Sequence, residues 1–285
     1  MFRKTLLFFL ALSLTSFSTL PASAQAKLTA AQVVEKNIAA RGGSQAWRGV
    51  QTMSWSGKMD AGAGDSVERS RRFTQNQGHL SPTGRVAHDR MAGDKEDNQV
   101  QLPFKHVMKL PNKSRTEIEF AGKTAVQVYD GSNGWKVRPF LNRNDVEAFT
   151  TDEAKAESEE PGIGGYLFDY AAKGSKVDLD GMEKVEGHDA YKLKVTSKSG
   201  SVKYLWIDAQ TFLDVKVSGT PRRMDGKMHN VYIFQRDFRD VQGVKVPFVF
   251  ETAVDGYHET HKTVLESVAV NPKLEDSMFT KPQAK

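Results

Sequence analysis

His258-Glu259-Thr260-His261 comes close to a metalloprotease motif. That chemistry needs two histidines four apart on one helix face, so that both imidazoles reach one zinc ion while the glutamate acts as general base. Here the histidines are three apart, just after Asp255-Gly256, in a stretch that reads as a hairpin where positions i and i+3 point to opposite faces. No metal site is expected there. Asp130-Gly131-Ser132-Asn133-Gly134 has the oxygen density of a calcium loop but lacks the other acidic positions and the terminal glutamate, so it reads as a hairpin turn. Gly162, Gly164 and Gly165 precede no Lys-Ser/Thr pair and fit no nucleotide fingerprint; they read as a hinge. There is no G-x-S-x-G, and nothing pairs a given serine with a given histidine. Glu157, Glu159 and Glu160 read as a solvated helix face. The 285 residues include no cysteine, which excludes disulfides, thiol catalysis, cysteine-held metals and lipidation of a mature N-terminal cysteine. The expectation is a protein that is not an enzyme and needs no cofactor.

The aromatic residues carry more information. Trp55, Trp135, Tyr204, Trp206, Phe248 and Phe250 all sit at alternating, strand-like positions. Tyr204 shares a face with Val202 and Trp206, and Phe248 shares one with Val246 and Phe250. Ile163, Tyr166, Leu167 and Tyr170 fall at i, i+3, i+4 and i+7, the apolar stripe of a helix. Ordinary core is the competing account for each. As a group, Trp55, Trp135, Tyr166, Leu167, Tyr170, Tyr204, Trp206, Phe248 and Phe250 are the candidate lipid-binding residues of an apolar cavity. A dozen buried methylenes would give about 10 kcal/mol before ordering costs. A charge in the stripe, such as Tyr170→Asp, is expected to abolish retention without unfolding.

These side chains need elements to hold them. Thr29 and Gln32 form a capping-box pattern ahead of Val33, Val34, Asn37, Ile38 and Arg41, so a helix opens there and Gly42-Gly43 ends it. Ser44 is placed to cap a short turn carrying Trp47. The period then changes from 3.6 to 2: Met53, Trp55, Gly57 and Met59, then Thr116, Ile118 and Phe120, then Tyr191, Leu193 and Val195, then Leu213, Val215 and Val217. Strands wet on one face and apolar on the other are the antiparallel pattern. Turn signals such as Glu186-Gly187, Lys198-Ser199-Gly200 and Gln242-Gly243 recur every ten to thirteen residues, which makes an up-and-down meander the simplest topology. Residues 78–100, with His79 and His88, read as a long loop or a weak edge hairpin. Residues 141–175 read as a lid of two short helices, broken at Glu159-Glu160-Pro161-Gly162. Roughly ten strands and two or three helices leave more apolar sheet than the helices can cover. The sheet therefore closes as a barrel, or its concave face is partly vacant and holds a ligand.

The first two dozen residues read as a targeting segment. Arg3 and Lys4 precede an apolar run, Thr5 to Leu20, and Pro21-Ala22-Ser23-Ala24 ends in an A-x-A pattern. The expected mature chain is a single domain over residues 25–285, exported to the periplasm after cleavage following Ala24. Losing Arg3 and Lys4 takes the formal charge from +5 to +3, because residues 1–24 hold no acid. That balance gives no reason to expect nucleic acid.

Several positions together resemble the LolA-like superfamily of periplasmic outer-membrane lipoprotein-sorting proteins. They are Ala39-Ala40-Arg41-Gly42-Gly43 with Trp47, Asp130-Gly131 with Trp135 and Pro139, Trp206-Ile207-Asp208 with Thr211 and Leu213, and Val270-Asn271-Pro272 with Phe279. The resemblance implies a mainly β fold: a curved antiparallel sheet forming an incomplete barrel, with an N-terminal helix and a helical lid. It implies a carrier that shields the acyl chains of lipids or lipoproteins between an envelope donor and an acceptor, expected here as a monomer. Arg72 and Arg115 are the candidates for an arginine that contacts the lid. The chain departs from the carrier in residues 78–100, whose Arg85, Arg90 and Lys95 suggest an exposed mixed-charge surface of unassigned role, and in longer hairpins after residue 176. The alternative is a lipoprotein-sensing module like that of an envelope-stress regulator, although no boundary for a second domain is evident. A hydrolase acting on an envelope substrate is a third reading.

Overall fold

A computed structural model describes residues 28–61, 100–139 and 143–283. The targeting segment, Arg72 and residues 78–99 lie outside it. Helix α1 (Ala30–Ala40) starts as expected: the Thr29 hydroxyl accepts the Gln32 amide at 3.3 Å, and the Thr29 amide donates to Gln32 Oε1 at 2.9 Å. Helix α2 (Ser44–Arg48) carries the buried Trp47. Its N-cap is Gly43 rather than Ser44, because the chain enters at φ +88, a conformation open to glycine.

Among the described residues thirteen strands form one antiparallel sheet. In chain order they are β1 (Thr52–Asp60), β2 (Gln101–Lys109), β3 (Lys113–Phe120), β4 (Lys123–Tyr129), β5 (Gly134–Arg138), β6 (Arg143–Ala148), β7 (Lys176–Val185), β8 (His188–Thr196), β9 (Val202–Asp208), β10 (Asp214–Ser218), β13 (Val231–Val241), β14 (Val244–Val254) and β15 (Thr260–Val270), with a separate small hairpin of β11 (Arg222–Met224) and β12 (Lys227–His229) between β10 and β13. Neighbours run β6-β5-β4-β3-β2-β1-β15-β14-β13-β10-β9-β8-β7, so the meander is interrupted where β1 pairs with β15 and where the small hairpin stands between β10 and β13. Two-residue turns join several hairpins. Glu186-Gly187 and Gln242-Gly243 have both residues at positive φ, which matches the right-handed twist of the flanking strands. In the Asp130-to-Asn133 turn the aspartate carboxylate accepts the amides of Ser132 and Asn133 at 2.8 and 2.7 Å.

The sheet does not close. Its two edges, β6 and β7, are consecutive in the chain, so the segment between them must run from one edge to the other. That segment contains helix α3 (Thr151–Ser158), again started by a capping box, between Thr150 and Glu153. The expected second helix over 163–174 is absent; the chain makes successive turns there. Gly162, Gly164 and Gly165 take φ of +60, +89 and +79, and Asp169 takes +48, none of which an α-helix accepts. Residues 159–175 are therefore a strap across the opening.

Two glycines shape the sheet. At Gly57 the β1–β15 register shifts, and a Cβ there would overlap the Val264 carbonyl oxygen; such a bulge bends the strand. At Gly42, φ +110, a Cβ would overlap the Gly243 carbonyl oxygen. This close approach docks the end of α1 onto the β13–β14 turn, where the Arg41 carbonyl accepts the Lys245 amide at 2.9 Å.

The core divides by face. One inner cluster joins Trp47, Met53, Met108, Ile163, Val246, Phe248 and Leu265. A second packs Val33 and Val34 of α1 and Leu167 of the strap onto Leu193, Leu205, Ile207 and Val217. On the outer face the C-terminal tail covers β2 to β5, with Phe279 buried against Val107 and Val128. Another outer cluster gathers Val185, Ala190, Tyr204, Trp206, Tyr232 and Phe234.

Candidate apolar cavity

Strands β2 and β9 are six places apart in the sheet, a separation of about 29 Å if it were flat. Yet Met108 of β2 and Leu205 of β9 line one cavity of about 510 Å3, so the inner face is strongly concave. Its floor also includes Met53 and Trp55 of β1, Val217 of β10, and Val246 and Phe250 of β14. Its roof is the strap from Glu160 to Tyr166, with Arg41 and Trp47 beside it. Trp55 lies between His106 and Phe250, at ring-centroid distances of 5.7 and 5.8 Å. The Trp55 indole N–H is buried and has no hydrogen-bond partner among the described residues. His106 stands opposite Trp55 in the β1–β2 register and shares a 2.8 Å hydrogen bond between Nδ1 and Thr116 Oγ1. Its remaining exposed surface lines the adjoining space of about 290 Å3, and enclosure by protein lowers its pKa to about 4, so the ring is neutral.

Arg41 holds the strap. Its Nη1 donates to the Gly164 carbonyl at 3.0 Å, its guanidinium lies 4.7 Å from the Trp47 ring, and Nε sits 3.7 Å from the buried Asp214 carboxylate. The fully buried Asn37 completes the group, with Nδ2 donating to Asp214 at 3.1 Å and to the Phe212 carbonyl at 2.8 Å. Of the two expected arginines, Arg115 does not have this role, since it pairs with Glu117 and donates to the Met278 carbonyl in the tail; Arg72 lies outside the described residues. A signal was present in the sequence, since Asn37 and Arg41 are four apart on the buried face of an apolar helix, where polar groups need partners.

The acidic run is a solvated face only in part: Glu160 is exposed, while Glu157 and Glu159, like Glu153 before them, find partners on the sheet. Glu153 binds the buried Lys136 of β5, Glu157 accepts from Ser114 of β3 at 2.5 Å, and Glu159 accepts from Ser199 of the β8–β9 turn at 2.8 Å. The strap and its helix are thus clipped to both halves of the sheet. Burial works to raise the Glu153 pKa, but the Lys136 ammonium and the Thr150 amide outweigh it and hold the carboxyl below its usual range. Lys173 donates to the Pro161 and Gly165 carbonyls, at 3.1 Å each, and fixes the strap's own fold. Burial, reinforced by Glu160 and Glu159, pushes the Tyr166 phenol up and keeps it neutral.

The nine candidate residues do not gather at one place. Trp55, Tyr166 and Phe250 line the cavity. Phe248 lies in the core beside it, under the Arg239 guanidinium at 4.3 Å. Leu167 and Tyr170 face away from it, into the α1 cluster, so a charge at Tyr170 would strike the core. Trp135 pairs with Val128 and packs on the outer face under the tail. Tyr204 and Trp206 are also outside, beneath the ammonium groups of Lys192 and Lys216. Aliphatic residues the aromatic pattern passed over, such as Met53, Met108, Leu205 and Val217, make up much of the floor. His258 lies in the β14–β15 loop and His261 in β15, and no metal-binding group of three or more side chains occurs among the described residues. No helix among them is long and apolar enough to cross a membrane.

A concave antiparallel sheet with a strap across its mouth defines a structural class. The chain matches a LolA superfamily protein from Nitrosomonas europaea at a TM-score of 0.53 and 15% identity, over 90% of this chain and 99% of that one. It matches a DUF1329 family protein from Desulfovibrio piger at 0.51 and 12%, over 88% and 97%. A domain assigned to outer membrane lipoprotein sorting, from Vibrio parahaemolyticus, aligns at 0.50 and 11%, over 88% and 95%. No protein-family model and no curated protein sequence matches. The fold is LolA-like.

Proposed function

We propose that this protein is a periplasmic carrier that shields acyl chains of lipids or lipoproteins in the cavity between the concave sheet and the strap. The observation that carries this reading is the cavity itself: about 510 Å3, floored by Met, Leu, Val, Trp and Phe side chains, within the size range of ligand sites. The basic start, apolar run and A-x-A pattern of residues 3–24 support export, with one mature domain from Gln25 onward. Entry requires the strap to lift, which breaks its polar clips and the Arg41 hydrogen bond and draws Ile163 and Leu167 out of the two inner clusters. A structural neighbour assigned to lipoprotein sorting is consistent with such cargo.

The test is native mass spectrometry with lipid extraction, on protein purified gently from an envelope fraction. Thr252 lines the cavity from β14, so Thr252→Trp fills the space without touching the strap's clips. Acyl species bound to the wild type and lost from Thr252→Trp would support the reading. A ligand-free wild type, or an equal load on both, would overturn it.

A further inference from the structure

The strap has a second cavity on its other side, of about 630 Å3. Glu160, Pro161, Tyr166 and Lys203 line both spaces, so only the strap separates them. Beside its apolar floor the first cavity also carries Arg41, Arg222 and Asp214, cations and an anion together. The second cavity is lined by Lys155, Lys173, Lys198 and Lys203 together with five serines, against two carboxyl groups, Glu159 and Glu160. Glu159 accepts from Ser199, and that hydroxyl, with Lys155 and Lys203 nearby, holds its carboxyl below the usual range, so it stays a negative charge in the lining. Lys173 spends two of its donors on the strap. None of the four lysines makes an ion pair at contact distance with a described residue. Charges of one sign gathered around a cavity repel one another, and an anion entering it would relieve that repulsion. Desolvation raises the Glu160 pKa while Lys203 opposes the shift, and desolvation likewise lowers that of Lys173.

Strand β9 shows how the two spaces connect. Lys203, which borders both spaces, and Leu205, which lines only the first, are two apart on its inner face, a step of about 7 Å. A ligand lying across the strap therefore meets ammonium and hydroxyl groups at one end and hydrocarbon at the other. Ammonium and hydroxyl donors together suit an oxyanion of the phosphate type.

We propose that the second cavity binds the anionic oxyacid headgroup of an amphiphile whose chain occupies the apolar cavity. This inference rests on the carrier reading and narrows its ligand class. The test uses delipidated protein and three probes below their micelle concentrations: a lysophosphatidylglycerol, a monoacylglycerol of the same chain length, and inorganic phosphate. Titration calorimetry should find the anionic amphiphile bound about tenfold tighter than the neutral one, the weight of one charge-assisted hydrogen bond. The Lys155→Gln/Lys198→Gln variant changes only the second cavity and should cut that preference at least about threefold, as should raised salt. A thermal melt checks that the variant, altered at two exposed positions, remains folded. Equal affinities for the two amphiphiles would overturn the headgroup site and leave the carrier standing. A preference that survives in the variant would overturn it as well. Phosphate binding as tightly as the anionic amphiphile would mean a free-anion site unconnected with the chain. Binding of no probe would remove the carrier reading and this inference together.

Discussion

Replacing Arg41 with methionine keeps the length and apolar stem of the side chain and removes its charge. The substitution deletes the hydrogen bond from Nη1 to the Gly164 carbonyl and the guanidinium contact with Trp47. It also leaves the Asp214 carboxylate, whose side chain is 8% exposed, with the Asn37 amide as its remaining partner among the described residues. A hydrogen bond from a charged donor contributes about 1.5–3 kcal/mol, and removing one member of a buried ion pair costs about 3–5 kcal/mol. The 3.7 Å separation of Arg41 Nε from Asp214 is longer than a hydrogen bond, and the terms overlap, so about 3–4 kcal/mol in total is expected. Against a total stability of about 5–15 kcal/mol, that is a large fraction. The assay is urea denaturation of wild type, Arg41→Met, and Arg41→Met/Asp214→Asn. Because much of the loss is a stranded carboxylate, the double variant should recover about 1–2 kcal/mol relative to the single one. An Arg41→Met protein within about 0.5 kcal/mol of wild type, or a double variant no more stable than the single, would refute the account of how the strap is held.

Other regions lend themselves to equally direct tests. Gly42→Ala combines positive φ with overlap on the Gly243 carbonyl, and should destabilise by about 2 kcal/mol or more, read as a lowered urea midpoint; a neutral result would mean that α1 does not dock there. Phe279→Ala empties a site that is 1% exposed and should cost about 3–5 kcal/mol. A tail that adds nothing to the outer face would show less than about 1 kcal/mol. His106 is held neutral with a pKa of about 4, so the unfolded chain binds the extra proton between roughly pH 6.5 and 4. Stability from this group is complete above the unfolded value and falls as pH drops toward 4, by up to about 3 kcal/mol. Comparing wild type with His106→Gln at about pH 7 and pH 4.5 isolates that term, and identical pH slopes would count against a buried, neutral ring. Glu153 behaves in the same direction through its bond to Lys136: its contribution is present above the unfolded carboxylate value and lost as pH falls through the depressed folded one. Lys136→Met should therefore flatten the acid limb of the stability profile, and an unchanged limb would disprove the coupling.

The local grammar of this chain was legible without any tertiary information. Thr29 and Gln32 cap α1 because one hydroxyl and one amide three residues apart satisfy orphan N–H groups by themselves. Glu186-Gly187 and Gln242-Gly243 turn because short-range sterics favour glycine at positive φ. Period-two alternation announced an antiparallel meander, matched by the thirteen-stranded sheet, while the shortage of helix left a closed barrel and a partly vacant concave face as alternatives that only the open sheet decides. The spacing of Ile163, Tyr166, Leu167 and Tyr170 correctly marked an apolar stretch, but three nearby glycines and Asp169 at positive φ make it turns instead of a helix. Alternation also says which residues share a face without saying which face is inside. For Trp135 the C-terminal tail decides, arriving from more than a hundred residues away; for Tyr204 and Trp206 it is the stems of Lys192 and Lys216 that cover the outer rings. The role of Arg41 needed three segments, α1, β10 and the strap, to meet. Sequence periodicity reports contacts made within one element, whereas a cavity between a curved sheet and its strap exists only once the two edges, β6 and β7, have been brought within reach of a single connecting segment.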